Sequence, residues 1–74
     1  MTAHAYVVDA RWLEPPEPME RVLAVLPRLA PGEALLLKLH REPYPLYAML
    51  DAQGLRHETR PLPDGTFDIV IRRG

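Results

Sequence analysis

Val7-Val8-Asp9-Ala10-Arg11-Trp12-Leu13-Glu14-Pro15-Pro16-Glu17-Pro18-Met19 joins a short apolar strand to a helix through a corner made of proline. Proline has no backbone N–H and a fixed φ. It therefore suits the first turn of a helix, where that donor would lack an intrahelical partner. A strand-to-helix turn is also a common place for a nucleophile, because the helix's positive end faces it. Here that turn holds prolines, which perform no chemistry.

Outward from this corner the pattern divides cleanly. Ala5 to Val8 reads as a strand. Met19, Val22, Leu23, Leu26 and Leu29 recur at three- and four-residue steps, which predicts a helix from Pro16 or Pro18 to about Leu29. Pro27 removes an interior hydrogen bond, so it kinks the last turn or ends the helix early. Ala34-Leu35-Leu36-Leu37-Lys38-Leu39 is a nearly continuous apolar run with the length of a central strand. A short helix is expected from about Pro45 to Gln53, with Gly54 after it. Leu55 to Pro61 alternates, Leu62-Pro63-Asp64-Gly65 signals a hairpin turn, and Thr66 to Arg72 is the last strand. The expected fold is an α/β (α+β) two-layer sandwich in the order βαβαββ, a four-stranded mixed sheet with two helices on one face. The first two strands are parallel and joined by a right-handed crossover.

A chain of 74 residues is one domain, residues 1–74, with a thin core. It has no cysteine, which excludes disulfides, thiolate metal sites and thiol-based transfer. The net charge of −1, with acids and bases interspersed, argues against a nucleic-acid partner. The apolar runs are too short to cross a bilayer, and no secretory signal stands at the N-terminus, so a cytoplasmic location is expected. Nine prolines, one Gln and no Asn fit a heat-adapted host and equally a GC-rich genome.

The corner resembles the signature of the TusA/SirA-like sulfur carriers, roughly D-x-x-G-L-x-C-P-x-P. Asp9, Leu13, Pro16 and Pro18 match it, and Gly32-Glu33 and Gly54 resemble further family positions. Trp12 stands at the family's glycine and Pro15 at its sulfur-carrying cysteine. Persulfide chemistry needs a thiolate, so the carrier mechanism does not transfer. The chain looks more like the cysteine-less, uncharacterised branch of that superfamily, found alone or fused to hemerythrin-like domains. In that branch Pro15-Pro16-Glu17-Pro18-Met19 and a segment like His40-Arg41-Glu42-Pro43-Tyr44-Pro45-Leu46 recur.

The loops after the first two strands emerge together, where open α/β sheets form crevices. They place Trp12, Glu14, Pro15, Pro16, Glu17, His40, Arg41 and Tyr44 along one ligand or partner edge. Both helix N-termini face it, which favours an anion, although prolines remove donors. The plain alternative is two stiff loops with solvated charges. His40 suits acid–base work or a metal, but a stable metal site needs three or four converging ligands, and nothing in the sequence brings His4, His40 and His57 together. Trp12 is either a partner anchor or a cap on a small core. Leu36 and Val70 give the open sheet face a modest apolar patch if they point that way, and Arg72-Arg73 reads as a solvated tail. The expected function is a non-catalytic binding or regulatory module without cofactor or metal. Its partner is a protein or small ligand, not a membrane, and the chain is a monomer or weak homodimer. The alternatives are a docking accessory in sulfur relay or redox metabolism, and a weak histidine-based metal or anion site.

Overall fold

The computed structural model describes residues 4–74. Its elements run β1 (Tyr6–Asp9), α1 (Glu17–Val25), a 3₁₀ turn (Leu26–Arg28), β2 (Ala34–Leu39), α2 (Tyr44–Ala52), β3 (Arg56–Pro61) and β4 (Phe67–Arg72). The sheet order is β1-β2-β4-β3. β1 and β2 are parallel, and β4 lies antiparallel to both β2 and β3. This is the expected βαβαββ sandwich.

Strand alternation fixes which side is covered. Leu35, Leu37 and Leu39 point at the helices, as do Ile69 and Ile71 beside them in register. Val22 and Leu26 descend from α1 and its extension, Leu46 and Leu50 from α2. Leu36, Lys38, Asp68 and Val70 point the other way, onto a sheet face that neither helix covers.

The boundaries differ from expectation where proline intervenes. α1 stops at Val25, two residues before Pro27, and the chain tightens into the 3₁₀ turn. Pro27 there occupies a first-turn position, where its missing N–H costs little. Leu29 still reaches the core from beyond the turn. α2 begins one residue earlier than expected, at Tyr44, with Pro45 in its first turn. Thr66 belongs to the hairpin turn rather than to β4. Its N–H and hydroxyl both donate to Asp64 Oδ1, at 2.9 and 2.6 Å.

The C-terminus is not a free tail. Arg73 Nε donates to the Leu29 carbonyl at 2.6 Å, and its Nη2 to the Leu26 carbonyl at 3.0 Å. The end of a helix leaves carbonyls without partners and carries partial negative charge, so a guanidinium there satisfies both needs. Backbone bonds from Gly32 N–H to Arg73 O and from Arg73 N–H to Glu33 O complete the closure. Arg73→Ala is expected to lower the unfolding free energy by about 2 kcal/mol, the scale of charge-assisted hydrogen bonds. Arg72→Ala, at an exposed position, is expected to change it by less than about 0.5 kcal/mol. Urea denaturation of both variants provides the comparison.

Candidate functional site

The loop leaving β1 is shaped by Asp9. Its Oδ1 accepts from the Arg11 backbone N–H at 3.2 Å and from Arg11 Nε at 2.9 Å, while Oδ2 accepts from Arg11 Nη2 at 2.7 Å. A short side chain that bonds the amide two residues on is the device of an Asx turn. The Arg11 side-chain bonds, foremost, hold the Asp9 carboxyl down at about 2 from an ordinary 3.8.

The turn delivers Trp12 at φ +68°. This left-handed conformation is costly for any residue with a Cβ and free for glycine. The resembled signature has glycine at this position, and the backbone here keeps the glycine geometry with a tryptophan in place. Two contacts offset the strain. The Trp12 backbone N–H donates to His40 Nδ1 at 2.8 Å. The indole stacks on the His40 imidazole, ring centres 5.1 Å apart and planes 28° apart. His40 Nδ1 is thus an acceptor, which leaves the proton of the neutral ring on Nε2. Trp12 remains 71 % exposed, so it does not cap the core.

Behind this stacked pair lies a groove of about 290 Å³. The proline corner forms one wall with Leu13, Pro15, Pro16 and Pro18. Met19, Val22, Leu37, Leu39 and Leu46 make its floor and sides, and His40, Arg41 and Glu42 stand at the polar rim. The peptide bond between Pro15 and Pro16 is cis. Glu42 is fixed in place: Tyr44 and Tyr47 hydroxyls each donate to one of its oxygens at 3.1 Å. Tyr47 also hydrogen-bonds Thr59 and stacks on His57, with ring centres 4.6 Å apart. Burial, first of all, raises the Tyr47 hydroxyl above its ordinary value, and the Glu42 bond raises that of Tyr44.

Of the residues expected along this edge, Pro15, Pro16, His40 and Arg41 line the groove, and Trp12 stands over His40. Four lie outside the lining, Trp12 among them. Glu14 is exposed, Glu17 pairs with Arg21 at 3.3 Å, and Tyr44 braces Glu42 from without. Met19, Val22 and Leu46 were legible as helix stripes facing the core, but not as groove walls. The histidines do not converge. His57 pairs with Asp51 at 2.9 Å, and His4 borders the open sheet face. Among the described residues no three His, Asp or Glu side chains cluster as metal ligands.

An anion at the helix ends finds few donors. Glu17 and Glu20 N–H groups go to the Glu14 and Pro16 carbonyls. Tyr44 N–H goes to Glu42 O, and those of Leu46 and Tyr47 go to Pro43 O. Pro18 and Pro45 have no N–H to give. Prolines and local turns thus take up most of the amides at these helix ends.

A protein-family model described as "Uncharacterized conserved protein (DUF2249)" matches residues 7–73. The chain belongs to this DUF2249 family. A search of curated proteins gives no match. Among solved structures, the crystal structure of a SirA-like protein from Desulfitobacterium hafniense superposes with a TM-score of 0.79 at 20 % identity, over 89 % of this chain and 93 % of that one. The fold of this DUF2249 chain is thus SirA-like, as the motif implied, with proline and no cysteine at its corner.

Two outcomes check the loop. Trp12→Gly is expected to be more stable than Trp12→Ala by about 1 kcal/mol, since both lose the stack and only glycine relieves the positive φ. Asp9 is more acidic folded than unfolded. Its contribution is therefore complete above the unfolded value near ~4 and is lost as pH falls toward 2. Urea midpoints measured across that window should fall more steeply for the wild type than for Asp9→Asn.

Proposed function

We propose that this domain is a non-catalytic binding module whose proline-walled groove takes an apolar group: a side chain of a partner protein or a small apolar ligand. The observation that supports it most is the groove's lining. Its walls are Leu, Met, Val and Pro side chains, and its rim holds one histidine, one exposed arginine and a braced glutamate. At about 290 Å³ it sits at the small end of ligand-sized cavities. Proline walls are already ordered, so an occupant loses little to rigidifying them.

The corner has no thiol or serine hydroxyl for covalent transfer. Pro15 stands at the cysteine position of the resembled carriers, and the chain has no cysteine or serine. Glu42 is spoken for by two tyrosines, and His40 Nδ1 by the Trp12 amide. These engagements support a binding role over acid–base catalysis. Among the described residues no helix is long and apolar enough to cross a membrane.

Methyl-detected NMR with n-hexanol as the probe tests the reading. Saturable shifts are expected at Leu13, Met19 and Leu46, and Met19→Glu is expected to weaken them about tenfold or more by placing a charge in an apolar pocket. Shifts that stay linear, or that are equal in the variant, contradict the proposal.

A further inference from the structure

The sheet face opposite the helices carries a charge pattern with a particular symmetry. Register places Asp9, Lys38, Asp68 and Arg60 side by side across β1, β2, β4 and β3. The row reads minus, plus, minus, plus. Next to it, Val7, Leu36, Val70 and Glu58 form a second row, with Val7 60 % exposed and Leu36 and Val70 half-buried. Lys38 Nζ and Asp68 Oδ1, the central pair of the charged row, are 3.1 Å apart.

An alternating row with an even number of members, read backwards, is its own complement. A two-fold axis parallel to the strands, running between β2 and β4, reverses the strand order and keeps each row at its own level. Lys38 of one copy then faces Asp68 of the other, and Asp68 faces Lys38. Around the axis this gives a closed ring of four alternating charges. Asp9 faces Arg60 at both outer corners. In the neighbouring row Leu36 covers Val70, and Val70 covers Leu36. Arg56 and Arg72, the like charges paired across β3 and β4, fall opposite the β1 and β2 side of the other copy, where Ala34 and His4 lie, so neither arginine meets another arginine.

We propose that this open sheet face pairs with the same face of a second copy of the chain, in a back-to-back two-fold dimer. Sheets pack this way at about 10 Å separation with their strands offset by the sheet twist. The centre of the face carries the interaction. At the corners Arg11 already neutralises Asp9 at 2.7 Å, and Glu58 stands 3.9 Å from Arg60, so those contacts set orientation more than affinity. A nucleic acid requires a uniformly positive face, which an alternating row denies it.

Area limits the strength. Four strands at ~4.8 Å spacing and six residues at ~3.3 Å rise give a footprint of roughly 300–400 Å² per copy. Stable complexes bury about 800 Å² per partner. The dimer is therefore weak, with Kd of about 0.1–1 mM, and it dissociates more readily as salt rises.

Sedimentation equilibrium of the full chain up to millimolar concentration tests the proposal. Wild type is expected to show a monomer–dimer equilibrium. Lys38→Glu sets two like charges face to face twice over, as does Asp68→Lys, and each is expected to weaken association about tenfold or more. The double variant Lys38→Glu, Asp68→Lys rebuilds the alternating ring and is expected to restore it. Wild type that stays monomeric, or single variants that associate as wild type does, overturns the proposal. So does a double variant as weak as the singles. On wild type alone, dilution NMR should shift the amides of Val7, Leu36, Lys38, Asp68 and Val70. Changes confined to the helices or to the Pro15 groove contradict this face.

Discussion

Leu35, Leu37, Ile69 and Ile71, packed under Val22, Leu26, Leu46 and Leu50, are the contact on which the rest depends. These sheet residues are fully buried, and a slip of one position would turn them all to the open side. The register they enforce ends β2 beside the end of β1. Ala10 N–H bonds the Lys38 carbonyl at 2.9 Å, and that alignment brings His40 level with Trp12. The groove, the stacked pair and the charged row on the other face are all consequences of one register.

The corner itself is a compromise between strain and rigidity. Asp9 and Arg11 fold the loop back, Trp12 accepts an unfavourable backbone angle, and His40 compensates by accepting its amide and stacking on its ring. The prolines after it then wall the groove without supplying donors. A thiolate in such a turn would be stabilised by amides and helix dipole. Proline takes away both the thiol and part of the amide array. What is left underlies the binding role proposed above, on a fold shared with a SirA-like protein.

The continuous apolar run of β2 left its register open, whereas the helical spacing of Val22 and Leu26 was plain in the sequence, because it is local. So was the disruptive effect of Pro27, although not its resolution into a 3₁₀ turn. Contacts distant along the chain were invisible. Arg73 reaches carbonyls 44 and 47 residues earlier, and Trp12 meets a histidine 28 residues later. No composition or period announces such pairings. The site residues split on the same line: Pro15, Pro16, His40 and Arg41 follow from strand ends, whereas the outward lean of Glu14, Glu17 and Tyr44 depends on local turns.

The Pro15 corner walls a preformed apolar groove. Xenon enters such spaces without needing charge, hydrogen bonds or covalent chemistry. Crystals of the protein held under xenon pressure should show a bound atom among Leu13, Met19, Val22 and Leu46, with the walls unmoved. A groove closed by these side chains, or xenon bound only elsewhere, would contradict the account.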